Sequence, residues 1–173
     1  MSFKIVVDSC GELTPEMKAD ERIVSAPLTL EVGGETFIDD HTFRQQMFLQ
    51  KVAACPECPK SSCPSPEVYL DVFRSEAEHY YAVTLSAELS GSYNSAMLGR
   101  SMALEEEPDK KIYVFNSRSA SVGQTLIVKK IMECEEAGMS FEKIVEAVEA
   151  YISSQNTYLS LIHISEPTRP RLI

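Results

Sequence analysis

The sequence has few basic residues: 16 lysines and arginines stand against 26 aspartates and glutamates, a formal net charge of -10. A surface of that sign repels phosphate backbones, and no basic patch with interleaved aromatic side chains is present, so the composition argues against a nucleic-acid partner. The chain also lacks any apolar run that approaches the roughly 20 residues of a membrane-spanning helix. Residues 1–10 show no signal-peptide pattern. We therefore expect a cytoplasmic protein without a transmembrane segment, whose five cysteines are reduced.

Short β-branched runs alternate with amphipathic segments along most of the chain. A hairpin is predicted around Gly33-Gly34, and strands are predicted at residues 3–9, 80–85 and 111–117. Helices are predicted after Thr14 and Ser65, where proline takes the first helical position, and over residues 42–54, 92–107, 119–137 and 141–152. Residues 55–66 are rich in proline, which predicts a loop. This alternation predicts an α/β fold with a mostly parallel sheet and flanking helices.

Three of the predicted helices have a face that we expect to point inward. The helix at 42–54 is expected to bury Phe43 and Met47. A separate prediction concerns a helix end: Gly138 is expected to end the helix that begins at Ser119. The inward stripe of the helix after Ser65 is Val68, Val72 and Phe73. The last helix has the clearest period, with Phe141, Ile144, Val145, Val148, Tyr151 and Ile152 on one side.

The pattern of strands and amphipathic helices fails after Ile152. The segment LSLIHISEPTRPRLI, residues 159–173, has no coherent period and follows a helix with nothing to pack against. Its first part, LSLIHISEPTR, resembles the translation of a transposase-type sequencing adapter. We interpret residues 159–173 as an artefactual tail and residues 1–158 as a domain of a protein that continues, although a genuine irregular tail is the alternative.

Hydroxyl groups are concentrated where one strand becomes a helix, in VTLSAELSGSYNSA (Val83–Ala96). Ser86, Ser90 and Ser92 surround Gly91 there. A glycine lets backbone N–H groups approach a ligand, and the N-terminus of the following helix favours an anion. The spacing fits neither a phosphate-binding loop nor a dinucleotide fingerprint, so a small head group such as a carboxylate is predicted. Helix capping is the simpler explanation of the same serines.

Two other loops also follow predicted strands and carry polar groups, at residues 8–9 and 116–121. Ligands of open α/β sheets bind at the carboxyl ends of the strands, so loops that converge there predict a pocket. Catalysis has less support, because a serine nucleophile needs a nearby base and SAELSGS is not the G-x-S-x-G elbow. His79 precedes its strand, at the opposite end, whereas His41 leaves an α/β-type serine hydrolase open as an alternative.

Three cysteines, Cys55, Cys58 and Cys63, form a C-x-x-C with a third cysteine nearby. A structural zinc site needs four ligands, and no second C-x-x-C or C-x-x-H follows. A redox C-x-x-C normally opens a helix after a strand, whereas this one lies among prolines. We predict reduced loop cysteines and no metal, and a metal-binding module remains an alternative.

Five segments occur in a characteristic order: KIVVDSCGELTPE, APLTLEVGGETFID, PKSSCPSPEVYLDVF, VTLSAELSGSYNSA and IYVFNSRSASVG. In these segments the chain resembles the DegV family of fatty-acid-binding proteins. The resemblance covers Phe3 to Tyr158 and corresponds to the first domain of the family, so a second domain would be missing. It implies a carrier, not an enzyme, that binds one long-chain fatty acid in a buried tunnel without a cofactor. It also implies a fatty-acid kinase as partner, which makes an acyl phosphate for phospholipid synthesis.

The resemblance also assigns site residues. The family's Thr-Ser-Gln-Pro motif falls on residues 61–64, which makes Ser61 the first carboxylate ligand and Ser90 the second. The supporting pocket residues are Gly91, Ser92, Ser86 and Ser62. Cys63 stands where the family usually has glutamine and Asn116 where it usually has aspartate, and the absent second domain would supply a further polar contact. The hydroxyls around Gly91 thus become candidates for one half of a carboxylate clamp, and Ser61 for the other.

Limited proteolysis tests the assignment of the tail. Because residues 159–173 were not selected to belong to this domain, we expect a protease to remove them without a change in the unfolding transition of the remainder. Mass spectrometry of the digest and thermal unfolding before and after cleavage measure this. A tail that resists cleavage and whose removal lowers the melting temperature would contradict the assignment.

Overall fold

The computed structural model describes residues 2–158, and the tail at residues 159–173 lies outside the described residues. In chain order the elements are β1 (Phe3–Asp8), α1 (Pro15–Ala19), β2 (Ile23–Ala26), β3 (Thr29–Val32), β4 (Glu35–Ile38), α2 (Gln45–Ala54), β5 (Lys60–Ser62), α3 (Pro66–Phe73), β6 (His79–Thr84), α4 (Ser92–Glu106), β7 (Lys111–Asn116), α5 (Val122–Glu136) and α6 (Phe141–Ser154). None of these helices has the length and apolar character needed to cross a membrane.

The larger sheet is parallel throughout, with the strand order β2-β1-β6-β7. Strand β6 is buried along its whole length because helices cover both faces. Ile5, Val7 and Tyr81 pack in one core with α5 and α6, whereas Val6 and Tyr80 pack in a second core with α3 and α4. Alternate side chains of each strand therefore serve opposite faces. The predicted α/β fold with a mostly parallel sheet is confirmed.

The order of the strands reverses next to β1. The chain leaves β1 to form β2 on one side and later returns to form β6 on the other side. Such a reversal opens a crevice at the carboxyl ends of the two strands on either side of it, because their following loops diverge. The ends of β1 and β6, at Asp8 and Thr84, therefore mark the place where this fold can hold a ligand.

A smaller antiparallel sheet has the order β4-β3-β5. Gly33 and Gly34 connect β3 to β4 with φ of 58° and 77°, which is left-handed backbone that glycine adopts readily, so the predicted hairpin is confirmed. The prediction that residues 55–66 form only a loop is wrong, because β5 pairs with β3 and places Ser61 opposite Leu30. Proline content concealed this strand, whose three residues are all exposed and have no apolar alternation.

Helix α2 buries fewer side chains than predicted. It starts at Gln45, later than the predicted Thr42, and Met47 is exposed. Its contact is aromatic instead: the ring of Phe48 lies 5.4 Å from that of Phe37 and 5.5 Å from that of Phe43. The predicted burial of Met47 is wrong, since none of the α2 residues is buried, and Phe43, which precedes the helix, is half-buried.

The helices of the larger sheet agree better with the periodicity. Ile144, Val148 and Ile152 are buried in α6, and Gly138, with φ of 69°, follows the end of α5 as predicted. Helix α5 begins at Val122, later than the predicted Ser119. In α3 the buried residues are Tyr69, Leu70 and Phe73, whereas the predicted Val68 and Val72 are only half-buried. The buried face of α3 is rotated from the predicted one because the sheet encloses the helix on one side and α4 encloses it on the other.

Gly99 lets α3 and α4 approach each other closely. A Cβ atom at residue 99 would lie 2.7 Å from the carbonyl oxygen of Pro66 and 3.0 Å from the Cβ of Tyr69. Gly99→Ala should therefore lower the free energy of unfolding by about 1–3 kcal/mol through overpacking. Helix propensity alone would change it in the opposite direction by up to about 1 kcal/mol.

Urea denaturation measures this difference. Ser101→Ala, at an exposed position of the same helix, is the matched control and should change stability by less than about 0.5 kcal/mol. A Gly99→Ala protein as stable as the unmodified chain would show that the two helices are not in close backbone contact.

Candidate functional site

The carboxyl group of Asp8 joins three elements at the crevice. Asp8 ends β1 and is 1% exposed. Its Oδ2 accepts a hydrogen bond from the Leu85 N–H at 2.6 Å, just after β6, and its Oδ1 accepts one from Nε2 of Gln124 in α5 at 2.9 Å. Burial raises the pKa of the Asp8 carboxyl, and these hydrogen bonds oppose that rise.

Backbone hydrogen bonds, within the turn and to the Ser119 loop, hold the Ser86–Ser92 turn. The N–H of Ser86 donates to the Ser119 carbonyl oxygen at 2.9 Å, and the N–H groups of Leu89 and Ser90 donate to the Ser86 carbonyl oxygen at 2.9 and 3.0 Å. Ser86 is buried, and its hydroxyl accepts only a long 3.4 Å bond from the Glu88 N–H. The structure therefore makes Ser86 a residue that shapes the turn, with its side chain directed away from solvent.

The hydroxyl groups of Ser90 and Ser92 are neighbours. Their oxygen atoms are 3.0 Å apart, and the Ser90 Oγ also accepts the Ser92 N–H at 3.2 Å. Ser90 is half-buried, whereas Ser92 is fully buried. Gly91 occupies the N-cap position of α4 and has no side chain to cap it. Ser90 thus has a local backbone partner, as the capping explanation requires, and it also presents the outermost hydroxyl of the pair.

Asn116 connects the third loop to the serine turn. Its Oδ1 accepts the N–H of Ala87 and the N–H of Arg118, both at 3.1 Å. Next to it, the Ser117 Oγ accepts the Ser119 N–H at 3.1 Å. Together with the Asp8–Leu85 bond, these contacts bring all three polar loops to one edge of the sheet. An aspartate at residue 116 could accept the same two N–H groups, so this departure from the family pattern preserves the contact.

The segment that contains Ser61 reaches the serine turn through Cys63. The Cys63 Sγ lies 3.1 Å from the position that a Cβ at Gly91 would take, and 3.6 Å from the Ser95 Oγ. Ser61 and Ser62 are exposed in β5, and neither hydroxyl has a hydrogen-bond partner among residues 2–158. The predicted clamp residues thus belong to two segments that touch, although no bond joins Ser61 to Ser90 directly.

Tyr69 and Gln124 belong to this region and were not found from the sequence. The Tyr69 hydroxyl is buried without a hydrogen-bond partner in the described part of the chain. It lies close enough to Ser92 and Asp8 for both to affect its pKa, which burial raises. Gln124 is fully buried within α5, and its Oε1 also has no partner there. Tyr69 and Gln124 lie at inward-facing helix positions, and a search for apolar periodicity passes over polar residues at such positions.

The histidines lie away from the serines. His79 begins β6, at the opposite end of the sheet, and its Nδ1 is 2.7 Å from the Oε1 of Glu135, which also accepts the hydroxyl of Tyr81 at 2.7 Å. His41 lines a separate hollow of about 350 Å³ with Ser9 and Asp39. Within residues 2–158 no imidazole is hydrogen-bonded to Ser86, Ser90 or Ser92, which a serine hydrolase would require.

The loop cysteines contact different parts of the molecule. Cys55 lies beside Gly33 of the hairpin, whereas Cys63 lies beside Gly91. The residues described contain no group of three or more histidine, cysteine, aspartate or glutamate side chains that could hold a metal ion. This geometry gives the metal-binding alternative no support.

The chain is similar in sequence to one known protein family. A family model described as "Uncharacterised protein, DegV family" matches residues 2–165. A DegV domain-containing protein of Streptococcus pneumoniae is 39% identical over 153 residues, which are 87% of this chain and 54% of that protein. The chain therefore spans about half the length of the curated relatives it matches.

Solved structures agree with this match. A DegV family protein from Ruminococcus gnavus, refined with vaccenic acid, is 54% identical, with a TM-score of 0.85 over 88% of this chain and 55% of that one. The Fatty Acid Kinase (Fak) B3 protein of Streptococcus pneumoniae, loaded with linoleic acid, is 38% identical, with a TM-score of 0.80 over 88% of this chain and 55% of that one.

The role of Asn116 can be tested by two substitutions. Asn116→Ala leaves two backbone N–H groups of the turn without their acceptor, so we expect a loss of about 1–3 kcal/mol in the free energy of unfolding. Asn116→Asp keeps an acceptor oxygen and should retain most of the stability. Thermal unfolding and amide hydrogen exchange of residues 85–92 measure the effect. Equal exchange in both variants would show that Asn116 does not support the turn.

Proposed function

This chain belongs to the DegV family, and we propose that it supplies the carboxylate-binding part of a site for one long-chain fatty acid. In this proposal the hydroxyls of Ser61 and Ser90 donate hydrogen bonds to the ligand carboxylate. The residues that shape the pocket around them are Gly91, Ser92, Ser86 and Ser62.

The observation that carries the proposal is the contact between Cys63 and Gly91. It joins the segment that bears Ser61 to the turn that bears Ser90, at the carboxyl ends of the strands and at the reversal of strand order. This is the position where open α/β sheets bind ligands. In the proposal, Ser61, which is exposed in β5, and Ser90, which is half-buried in the turn, supply the two donors.

The acyl chain and the carboxylate of a fatty acid would make different interactions with such a site. Each buried methylene contributes roughly 0.8 kcal/mol, so the acyl chain supplies most of the affinity. The carboxylate must keep its hydrogen bonds when it leaves water, because an unpaired buried charge is costly. Two hydroxyls and the N-terminus of α4, a fifteen-residue helix, are suited to that task.

The same site supports a carrier and not an enzyme. A carboxylate clamp needs donors and no base, and within residues 2–158 the serines have no imidazole beside them. The similarity to the Fak B3 protein, loaded with linoleic acid, supports a fatty-acid kinase as the partner. We propose that this kinase receives the bound acid and that the acyl phosphate serves phospholipid synthesis.

Three apolar side chains near the site are exposed to solvent. Leu89 in the serine turn is 57% exposed, and Val122 and Leu126 on α5 are 56% and 40% exposed. We propose that a second half, corresponding to the part of the relatives that this chain does not cover, packs on these residues and closes the acyl tunnel.

The clamp is tested on a fusion in which residues 1–158 are joined to the second half of the Ruminococcus gnavus relative. Ser61→Ala and Ser90→Ala should each weaken binding of vaccenic acid by about tenfold or more, because a hydrogen bond to a charged group contributes roughly 1.5–3 kcal/mol. Calorimetric titration measures the affinity, and the melting temperature of each variant is measured in parallel.

Ser101→Ala, exposed on α4, is the matched control and should bind as the unmodified fusion does. If Ser90 only caps α4, Ser90→Ala will lose about 1 kcal/mol of stability with its affinity unchanged. Native mass spectrometry of the purified fusion should show a bound fatty acid. Hydrolysis of a simple ester that depends on Ser90, without bound lipid, would support the serine hydrolase instead.

A further inference from the structure

Ser119 connects the loop after β7 to the start of the serine turn. Its carbonyl oxygen accepts the Ser86 N–H at 2.9 Å and the Ser117 hydroxyl at 3.0 Å, and its own N–H donates to the Ser117 Oγ at 3.1 Å. Ser119 is 3% exposed, so water competes little for these groups. A displacement of the Ser119 backbone would therefore displace Ser86 as well.

The side chain of Ser119 faces the last described residues of the chain. Its Oγ lies 2.7 Å from the Thr157 Oγ1, and its other polar contact is a longer one, 3.4 Å from the carbonyl oxygen of Ala120. Within residues 2–158, the contact with Ser119 is the only hydrogen bond of residues 156–158. The hydrogen bonding of this segment to the domain thus depends on the Ser119 hydroxyl.

Gly123, in the first turn of α5, provides the space that the Ser119 side chain occupies. A Cβ atom at residue 123 would lie 1.9 Å from the Ser119 Oγ and 2.7 Å from the Ser119 Cβ. Both distances are far below van der Waals contact, so a side chain at residue 123 and the present position of Ser119 exclude each other. The start of α5 therefore fixes Ser119 from one side, and Thr157 contacts it from another.

The loop around Ser119 has an unfavourable backbone conformation. Arg118 and Ser121, on either side of the Ser119-Ala120 pair, have φ of 50° and 53°. Residues other than glycine seldom adopt this left-handed region, and they keep it only where the surrounding contacts hold them there. If the contacts of the Ser119 side chain are lost, the loop can relax, and the acceptor of the Ser86 N–H moves with it.

Three hydrogen bonds lead from residue 157 to the proposed clamp. The first joins the hydroxyls of Thr157 and Ser119 at 2.7 Å. The second joins the Ser119 carbonyl oxygen to the Ser86 N–H at 2.9 Å, and the third joins the Ser86 carbonyl oxygen to the Ser90 N–H at 3.0 Å. Asn116 holds the next residue of the turn through a separate bond. Loss of the Ser119 contacts should therefore shift the turn without unfolding it.

We infer that Ser119 is a positioning residue for the carboxylate clamp, an inference that rests on the proposed function. In this role Ser119 acts through the turn and not through contact with the ligand. Gly123 and Thr157 fix its side chain, and its carbonyl oxygen sets the start of the turn that bears Ser90. Thr157 lies one residue before the point where the fusion described above joins the second half. The position of Ser90 thus depends on the contact that anchors the approach to that half.

The test measures the affinity of the fusion for vaccenic acid by calorimetric titration. Gly123→Ala places a methyl group where Ser119 lies and should weaken binding by about tenfold, because a displaced Ser90 loses a hydrogen bond to a charged group. The same variant combined with Ser119→Gly, which removes both atoms that the methyl group would meet, should bind within about threefold of the unmodified fusion, the remaining loss being that of the Thr157 bond.

A second variant removes only the hydroxyl contact. Thr157→Val keeps the shape of the side chain and should weaken binding of vaccenic acid by about threefold. Ser154→Ala is the matched control, because the Ser154 hydroxyl is exposed and bonds only within α6, and it should bind as the unmodified fusion does. Amide hydrogen exchange at Ser86 and Ser90 should be faster in Thr157→Val and unchanged in the control.

An alcohol with the same carbon chain as vaccenic acid separates positioning of the clamp from general damage to the site. Its hydroxyl is uncharged and depends less on the clamp, so its affinity should change by less than about twofold in each variant. The melting temperature of each variant is measured in parallel. A purely structural role of Ser119 would weaken binding of the acid and of the alcohol equally.

Each contrary result overturns a separate point. Equal losses for the acid and the alcohol, or an unchanged affinity for the acid in Gly123→Ala, would overturn the role of Ser119 and leave the carboxylate clamp standing. If Gly123→Ala fails to fold, Thr157→Val decides, and an affinity and exchange rates equal to those of Ser154→Ala contradict the inference. An unmodified fusion that binds no vaccenic acid would overturn the proposed function, and this inference with it.

Discussion

The carboxyl group of Asp8 fixes the geometry of the functional end of this domain. Through Leu85 and Gln124 it joins the ends of β1 and β6 to α5, at the edge where the strand order reverses. A parallel sheet brings the carboxyl ends of its strands together but does not set the loops that follow them. Here Asp8, which accepts from the Leu85 N–H and the Gln124 amide, helps to set them, together with the bonds that Ser119 and Asn116 make to the serine turn.

The two ends of the larger sheet differ in how well their buried polar groups are hydrogen-bonded. At the amino end of β6, His79, Tyr81 and Glu135 form a buried polar cluster in which each group has a partner. At the carboxyl end, the hydroxyl of Tyr69 and the Oε1 of Gln124 are buried and lack partners among residues 2–158. Satisfied polar groups hold a fold together, whereas unsatisfied ones leave hydrogen-bonding capacity that a ligand or a proton can use.

Periodicity predicted most of the larger sheet and its helices, because those elements bury one face and their sequences must alternate accordingly. The stripe of α6 and the stop at Gly138 are examples. Strand β5 and the inner face of α3 escaped prediction for a physical reason: an exposed edge strand needs no pattern, and the rotation of a helix depends on its neighbours. For the site, the residues around Gly91 were visible as a cluster of hydroxyls, but Asp8, Tyr69 and Gln124 acquire their meaning only when three elements meet.

The two halves of the proposed clamp are mounted on supports of unequal stiffness. Ser90 follows a strand that is buried on both faces and precedes α4, which Gly99 holds in close contact with α3. Ser61 belongs to a three-residue edge strand, all of it exposed, in a small sheet whose helix α2 buries none of its residues. Local stability follows buried contacts, so the small sheet is the part that can move at low cost. Under the proposed function, a fatty acid would therefore be admitted and released by displacement of the Ser61 side, while the Ser90 side stays in place and holds the carboxylate.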